Sequence, residues 1–307
     1  METAAETTTE GSAAGPAPDL RRRVDRALTR IVEEELAGLS GRSAEAVRDA
    51  VLSPGKRIRP LLLLGAHRAA GGDVSEPAVE LACSVELVHA YSLVHDDLPC
   101  MDDDVLRRGR PTVHVRFGVR TAILTGAALM PMAVRLVARA GEALGLPDER
   151  TRLLLHRLAV ASGGAGMVGG QLLDLRAEGR PVHADELQRI HRGKTAALME
   201  AAVRMGATAA GREEDRLRRI GRFGRRLGLA FQAVDDILDV TGETEELGKA
   251  GGRDRELGKA TYPSVLGLEA SERAARELAA AARDDLEALG GDRVLEEIVQ
   301  FVVRRRR

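Results

Sequence analysis

Residues 81–114 read LACSVELVHAYSLVHDDLPCMDDDVLRRGRPTVH. An apolar helical pattern ends in a run of aspartates, and Arg107 and Arg108 follow at once. A solvated acidic run is one interpretation of such a cluster. Carboxylates at the mouth of a buried helix, beside guanidinium groups, instead favour a hard cation bridged to a phosphate. The clustered acids are Asp96, Asp97, Asp102, Asp103 and Asp104.

The composition argues against several classes of protein. The 307 residues carry a net charge of −1, so no overall field favours nucleic acid. The longest apolar run, at 61–66, is too short to span a bilayer, and the N-terminus lacks the basic and apolar parts of a signal peptide. Cys83 and Cys100 lie too far apart along the helical pattern to form a disulfide. We therefore expect a cytoplasmic protein without an integral membrane segment.

Helical periodicity runs through most of the chain. Aromatic residues make up only 2% and Trp is absent, while Ala, Leu, Glu and Arg dominate, a composition that favours helix over strand. The polar segment 1–18 is predicted to be a disordered tail. The remaining length allows one large domain or two modest ones. Helices are predicted at 20–39, 43–52, from 60, 76–97, 119–140, 147–162, 184–209, 212–240, 264–288 and 292–304.

A basic turn directly precedes the apolar helix that starts near Pro60. It contains Lys56, Arg57 and Arg59. A helix N-terminus disfavours cations and suits a bound anion, so this placement indicates an anion site. A solvated basic turn is the alternative. His89 lies further on, with Ser92 and Asp96 at i, i+3 and i+7, hence on one helix face, although a lone helical histidine is often structural.

The stretch SGGAGMVGGQLLDL contains a formal GxGxxG, from Gly164 to Gly169. This motif indicates a dinucleotide site only after a strand in a βαβ unit, and the preceding residues are helical in pattern. Small residues here are expected to let a ligand or a neighbouring helix approach closely. Gln171 and Asp174 share one helical face. Lys194, a cation amid Ala and Leu, predicts a buried anionic partner.

A second acidic cluster, FQAVDDILD, lies in the helix predicted at 212–240. It borders an apolar stripe that runs from Phe223 to Leu238 at helical spacing. A solvated acidic flank is the alternative. It is disfavoured because Asp235 directly follows Val234 of the stripe. The polar residues beside the stripe are Gln232, Asp235, Asp236 and Asp239.

Two acidic clusters on separate helices, facing each other across a helical cavity, can hold several Mg²⁺ ions that share phosphate oxygens. The cations between them are numerous enough for two anionic ligands. The residues alone therefore suggest a metal-bound diphosphate on an apolar tail. These cations are Lys56, Arg59, Arg107, Arg108, Lys194, Lys249 and Lys259.

From about residue 25 onward, the chain resembles the trans-isoprenyl (polyprenyl) diphosphate synthases of the bacterial short-chain farnesyl/geranylgeranyl type. The motifs that carry the resemblance are GKRIRP, HAYSLVHDDLPCMDDDVLRRGRPTVH, GMVGGQLLDL, HRGKTAAL, GLAFQAVDDILDVTG and LGKATYP. The resemblance implies an all-α, single-domain helical bundle over 19–307 around a deep central cavity, and a homodimer. It also implies several Mg²⁺ ions, expected to number three, with Mn²⁺ as an alternative metal.

The resemblance assigns roles to particular residues. Asp96, Asp102 and Asp235 would ligate Mg²⁺ on an allylic diphosphate, supported by a second set of acids: Asp97, Asp236 and Asp239. The residues expected to hold that diphosphate are Arg107, Lys194, Thr195, Gln232 and Lys259, with Lys249 nearby. Isopentenyl diphosphate would be bound by Lys56, Arg59, His89 and Arg108.

The implied reaction is ionisation of dimethylallyl or geranyl diphosphate to an allylic carbocation, which isopentenyl diphosphate attacks. Tyr91 and Ser92, one turn before Asp96, would form part of the cavity floor. A bulky Tyr91 favours a farnesyl product, with a geranylgeranyl product as the alternative.

The chain departs from the family pattern at Ala127, where an aspartate is usual, and at Val234. A terpene synthase-like lyase on the same fold would not need Lys56, Arg59 and Arg108. A non-catalytic partner subunit should lose acids from one cluster, and both clusters are intact.

Overall fold

Helices account for almost all the regular structure in the computed structural model, which describes residues 15–212, 214–242 and 252–304. The expected all-α fold is confirmed. Lys249 lies outside the described residues. In chain order the helices and strands are α1 (Pro18–Glu35), α2 (Arg42–Leu52), α3 (Ile58–Ala69), α4 (Glu76–Asp96), β1 (Leu106–Arg107), β2 (Arg110–Pro111), α5 (Val113–Phe117), α6 (Val119–Ala143), α7 (Asp148–Ser162), α8 (Met167–Ala177), α9 (Ala184–His191), a π-helical turn (Arg192–Ala196), α10 (Ala197–Ala209), α11 (Glu214–Thr241), α12 (Arg253–Glu256), α13 (Tyr262–Leu266), α14 (Leu268–Glu287) and α15 (Arg293–Arg304).

Helix α4 lies at the centre of the bundle, between α6, α3 and α1. Its N-terminus is capped by Ser75, whose side chain accepts a hydrogen bond from the backbone N–H of Ala78 at 3.4 Å. The helix is buried on nearly every side, as its continuous apolar sequence requires. The acidic motif at the C-terminal end of α4 lies in the same largely buried environment.

A second layer is formed by α3, α10, α11 and α14, which pack against one another in that order. Phe223 and Leu227 on α11 are fully buried, as the apolar stripe predicts. Helices α3 and α10 come very close at Gly206, where a Cβ atom would lie 2.1 Å from the carbonyl oxygen of Leu63. Helix α10 also packs against α11, which carries the second acidic motif.

Three local features differ from the sequence prediction. The segment predicted as one helix at 184–209 contains the π-helical turn, a feature that often marks a functional site. The helix predicted at 264–288 is divided at Gly267, whose φ of 79° ends α13 and starts α14. A two-stranded hairpin, too short to leave a periodic signal, pairs Arg107 with Arg110.

Helix α6 is, among the described residues, long and apolar enough by length and composition to cross a membrane. One of its faces packs against α4 and is buried. The other face exposes apolar side chains, including Ile123, Leu124 and Val134. The helix is predicted at 119–140, but its overall apolar character is not evident from uninterrupted apolar runs alone, since polar residues and Pro131 interrupt it.

The residue before α1 packs against the C-terminal helix. Ala17 is buried, and its backbone N–H donates to Oε2 of Glu297 on α15 at 2.9 Å. The start of α1 is thereby attached to the C-terminal helix.

Candidate active site

A cavity of about 990 Å³ lies between the C-terminal end of α4, the π-helical turn, α11 and the turn before α3. Its wall holds both acidic motifs and the basic turn, together with Asp104 and Asp174. The fold thus brings together, from distant parts of the chain, residues that the sequence predicts as site residues. The predicted residues that line the cavity are Lys56, Arg59, His89, Ser92, Asp96, Asp102, Arg107, Arg108, Lys194, Thr195, Gln232, Asp235, Asp236, Asp239 and Lys259.

Asp102 lies in the turn after α4, where its backbone N–H donates to the carbonyl oxygen of Asp96 at 2.9 Å. Lys259 Nζ is 2.8 Å from Oδ2 of Asp102. Burial acts to raise the pKa of Asp102, but Lys194 and Lys259 outweigh it and hold the pKa below its usual range. Oδ1 is buried without a hydrogen-bond partner among the described residues. An ionised carboxylate with one unsatisfied buried oxygen suits a bound cation.

Asp96 and Asp97 are consecutive but have different surroundings. Burial, with a contribution from nearby Asp102, raises the pKa of Asp96 to about 6. Oδ1 of Asp97 accepts a hydrogen bond from Nε of Arg107 at 2.6 Å, while burial raises the pKa of Asp97 to about 6. Arg107 also reaches Asp104 at 3.1 Å. Asp97 thus forms an ion pair that holds Arg107, and its support of a metal stays a prediction.

The second acidic motif is presented by α11. Asp235 and Asp239 line the cavity, each with a buried Oδ1 atom. Asp239 accepts hydrogen bonds from the backbone N–H of Asp254, at 3.3 Å, and of Gly252, at 2.8 Å. The segment around α12 is therefore attached directly to this motif.

Asp236 belongs to a chain of hydrogen bonds that lines one wall. The hydroxyl of Thr195 donates to Oε1 of Gln232 at 2.6 Å, and Nε2 of Gln232 donates to Oδ1 of Asp236 at 2.8 Å. Oδ2 of Asp236 accepts from the backbone N–H of Tyr262 at 2.8 Å, and burial raises the pKa of Asp236 well above its usual range. Both oxygens are thus engaged by the protein. Asp236 thereby positions Gln232 and Thr195, and its support of a metal stays a prediction.

Asp236→Asn is therefore expected to behave unlike Asp235→Asn. The asparagine oxygen can still accept from the Tyr262 N–H, so we expect kcat to stay within about tenfold of the wild type, equivalent to about 1.4 kcal/mol. Asp235→Asn removes a charge that faces the cavity and should cost far more. Steady-state kinetics of both purified variants, with melting temperatures, measure the difference. Equal losses in the two variants would contradict the positioning role.

Lys194 projects from the π-helical turn to within 2.5 Å of Oδ2 of Asp174 on α8. Although burial acts against the charge, Asp174, Asp96 and Asp102 raise the pKa of Lys194 above its usual range. The glycine-rich stretch explains how the turn comes so close to α8. A Cβ atom on Gly170 would lie 2.0 Å from the backbone nitrogen of Lys194. The predicted close approach is thus that of a neighbouring helix, and the anionic partner is Asp174.

The basic turn supplies a second set of cations to the wall of the cavity. Nε of Arg59 is buried without a hydrogen-bond partner among the described residues. Burial and the positive charge of Arg59 hold the pKa of His89 well below its usual range, so this ring is neutral. Arg108 donates to the carbonyl oxygen of Pro54 at 2.5 Å, and Nζ of Lys56 lies 4.8 Å from the ring centre of Phe301.

Arg57 holds this basic turn in place, a role that the sequence analysis missed. It has a left-handed backbone conformation, with φ 51°, at the N-terminus of α3. Its buried guanidinium pairs with Glu86 and Asp25, each at 2.8 Å, and donates to the carbonyl oxygen of Ser53 at 2.9 Å. Arg57 also lines the cavity, but its guanidinium is held by these partners, which fixes the turn that carries Lys56 and Arg59.

A family model described as "Polyprenyl synthetase" matches residues 42–298 of the chain. The chain belongs to the polyprenyl synthetase family. It is 46% identical to the farnesyl diphosphate synthase of Escherichia coli over 270 residues, which cover 85% of this chain and 88% of that protein. It is 44% identical to geranylgeranyl pyrophosphate synthase 11 of Arabidopsis thaliana over 252 residues, covering 81% and 70% of the two chains.

A solved structure of similar fold is the geranyltransferase of Helicobacter pylori, complexed with magnesium and isoprenyl diphosphate. It has a TM-score of 0.78 at 32% identity, and the match covers 94% of this chain and 97% of that one. An FPP/GFPP synthase from Zymomonas mobilis matches with a TM-score of 0.77 at 33% identity over 93% and 99% of the chains. The predicted enzyme class, prenyltransferase, is confirmed.

In this polyprenyl synthetase, Arg253 of α12 connects the two acidic motifs. Its guanidinium lies 3.3 Å from Oδ1 of Asp104 and donates to the carbonyl oxygens of Asp102, at 3.3 Å, and Asp103, at 3.2 Å. Since α12 is also attached to Asp239, the segment joins the two motifs. No sequence motif marked Arg253, which is separated from Asp104 by a long stretch of chain.

The acidic residues of this polyprenyl synthetase fit Mg²⁺ that is shared with a ligand. Within the described ranges, no three His, Cys, Asp or Glu side chains form a metal site by themselves. Asp96 and Asp102 lie on one side of the cavity and Asp235 on another, so phosphate oxygens or water would have to complete each coordination shell. The unsatisfied Oδ1 of Asp102 and the raised pKa of Asp96 both indicate that a cation is favourable there.

Two further residues singled out in the sequence have different environments. Ser92 lines the cavity. Tyr91 is half-buried on α4, and its ring centre lies 4.7 Å from that of His95. Ala127, at the position where the family usually has aspartate, lies on the exposed face of α6. Ala127 is not among the described residues that line the cavity.

Proposed function

We propose that this enzyme condenses isopentenyl diphosphate with dimethylallyl or geranyl diphosphate and releases a short-chain trans-prenyl diphosphate, farnesyl diphosphate in particular. The observation that carries the proposal is the division of one cavity into two anion-binding regions. One lies between the acidic motifs, beside Lys194 and Lys259, and the other lies at the basic turn. A reaction between two diphosphates requires two such regions.

The allylic diphosphate is proposed to lie between the acidic motifs. Asp96, Asp102 and Asp235 would hold Mg²⁺, three ions in all, with Mn²⁺ as an alternative. When bound, these ions would neutralise charge on the diphosphate as it leaves. The protein adds fixed positive charges at the same place, because Lys194 and Lys259 are already oriented by Asp174 and Asp102. Arg107, Thr195 and Gln232 complete this region.

Isopentenyl diphosphate is proposed to bind the basic turn through Lys56, Arg59, His89 and Arg108. A phosphate oxygen would satisfy the buried Nε of Arg59. The neutral imidazole of His89 can donate a hydrogen bond without adding charge. Arg57 keeps the turn in the conformation that presents these groups.

The chemistry follows from this arrangement. Departure of pyrophosphate leaves an allylic cation, and the double bond of isopentenyl diphosphate attacks it to form the new carbon–carbon bond. One proton is then lost, and the released pyrophosphate is its proposed acceptor. The protein's part is to stabilise the leaving group, orient the two substrates and exclude water.

Product formation from isopentenyl diphosphate, dimethylallyl diphosphate and Mg²⁺ tests the proposal. Elongated prenyl diphosphates would support it. Hydrocarbons or alcohols formed without isopentenyl diphosphate would instead identify a lyase, which the presence of Lys56, Arg59 and Arg108 disfavours. No product at all would indicate a non-catalytic subunit, contrary to the two intact acidic motifs.

The length of the product is proposed to depend on Tyr91. Tyr91→Ala is expected to extend the product from farnesyl to geranylgeranyl diphosphate or longer, because it removes a bulky ring one turn before Asp96. Tyr91→Phe keeps the bulk and should leave the product unchanged. Chromatography of the dephosphorylated products measures the effect, and an unchanged distribution in Tyr91→Ala would refute this role.

The enzyme is further proposed to act in the cytoplasm as a homodimer. The exposed apolar side chains of α6, among them Ile123 and Leu124, form a face that a second copy would bury. Light scattering should give twice the chain mass for the wild type, whereas Leu124→Glu should shift the population to monomer. A monomeric wild type would overturn this part of the proposal.

A further inference from the structure

A second cavity, of about 680 Å³, lies on the other side of the π-helical turn from the active site. Its wall is formed by the end of α7, the glycine-rich turn, α8 and α10. Lys194 and Thr195 line the first cavity, whereas Arg192 and Gly193 of the same turn line the second. The two cavities share no lining residue among those that the structure describes. The second cavity is therefore separate from the proposed reaction site.

The charge in this second cavity is strongly unbalanced. Among the described lining residues, Glu200 supplies the single carboxylate. It pairs with Arg204 at 2.9 Å and is shared with Arg225 at 3.6 Å. Within the described part of the chain, no carboxylate comes within ion-pair distance of Arg176, Arg189 or Arg192. The arginines of the wall are Arg157, Arg176, Arg189, Arg192 and Arg204.

Two of these arginines, each partly buried, have a buried Nε donor that is unsatisfied within the described residues. The side chain of Arg157 is 11% exposed and reaches Glu214 only at 3.7 Å. Its Nε atom, and that of Arg204, are buried without hydrogen-bond partners among the described residues. Unsatisfied buried donors are unfavourable, and two guanidinium groups close together repel each other. A bound ligand with more than one negative charge would accept hydrogen bonds from these donors and offset the repulsion between the guanidinium groups.

The shape and remaining lining define the class of ligand. Guanidinium groups match the oxygens of phosphate in pairs, and several of them match a diphosphate. Val160, Leu172 and Leu173 are exposed at the wall of the same cavity and offer apolar surface beside the charges. The volume lies in the range of small-molecule sites.

We propose that this cavity is a second, non-catalytic binding site for a diphosphate-bearing ligand. Inorganic pyrophosphate and a prenyl diphosphate share that chemistry, and the apolar surface favours the prenyl compound. The site goes beyond the proposed reaction, since none of its residues lines the active-site cavity.

Equilibrium binding with two probes tests the site: inorganic pyrophosphate and farnesyl thiolodiphosphate, an unreactive prenyl diphosphate. The wild type should have an additional class of site, outside the active site, which Arg157→Glu weakens by at least about tenfold. Arg152→Glu is the matched control, because it makes the same charge change on the exposed side of α7. It should retain the additional class. Arg176→Glu, an exposed lining position on α8, provides a second variant if Arg157→Glu folds poorly.

The two probes also identify the source of the ligand. Tighter binding of the thiolodiphosphate, reduced by Leu173→Ser, would indicate a prenyl compound, and equal binding would indicate pyrophosphate. The proposal would be overturned if the wild type bound these probes only in the active site. It would also be overturned if neither arginine variant affected the additional class of binding site. The proposal would also be overturned if Arg157→Glu dissociated an oligomer while the variant kept every class of binding site. Condensation rates at saturating substrate should be unchanged in these variants, so failure of this site is distinguishable from failure of the proposed reaction.

Discussion

Asp102→Asn is expected to lower kcat/KM for condensation by about a thousandfold, comparable with the largest losses on removing one group that stabilises transition-state charge. Asp102 is ionised because Lys194 and Lys259 hold its pKa low against the effect of burial. Its Oδ1 is buried and has no hydrogen-bond partner in the part of the chain that the structure describes. The amide has no charge to offer a cation, and its NH₂ group would face Lys259 or the cavity.

Asp103→Asn is the matched control for Asp102→Asn. Asp103 is the next residue, exposed and in a left-handed conformation with φ 49°, which asparagine also tolerates. We expect its activity to remain near that of the wild type. Kinetics over a range of Mg²⁺ concentrations should show a weaker metal dependence only for Asp102→Asn. Equal activity of the two variants would remove Asp102 from the site.

The sequence predicted which helices carry the acids but not which way each acid points. Adjacent residues on a helix project about 100° apart, so Asp235 and Asp236 cannot both face one cavity in the same way. In the structure both residues line the cavity, but the two oxygens of Asp236 accept hydrogen bonds from Gln232 and Tyr262. Asp97 differs from Asp96 for the same reason. The residue types alone do not distinguish the members of such pairs.

Contacts between distant segments were not predictable from periodicity. Arg253 meets Asp104 across a gap of more than one hundred residues, and neither position stands out in its own helix or loop. The second cavity was missed for a similar reason. Its arginines come from α7, α8, α9, α10 and the π-helical turn, and each one alone resembles an ordinary surface residue. By contrast, the stripe on α11 and the apolar α4 were predicted because their signal is local.

Variants of the ion pair between Arg57 and Glu86 can distinguish an effect on protein stability from an effect on substrate binding. Both side chains are almost fully buried, 6% and 4% exposed, with 2.8 Å between the charged atoms. Glu86→Gln leaves the guanidinium buried with less compensation and is expected to lower the free energy of unfolding by about 3–5 kcal/mol. The control is Arg48→Met, which breaks an exposed pair with Glu33 and should change stability little.

The double variant Arg57→Met/Glu86→Leu removes both charges together and should regain most of that stability, since apolar residues can replace a buried pair. It cannot restore the hydrogen bond from Arg57 to the carbonyl oxygen of Ser53, so the turn that presents Lys56 and Arg59 stays loose. We therefore expect KM for isopentenyl diphosphate to remain raised in the double variant while KM for the allylic substrate is unchanged. Denaturant unfolding and two-substrate kinetics measure the two effects. If KM recovers together with stability, Arg57 contributes only to folding, and the basic turn needs no tether to bind its diphosphate.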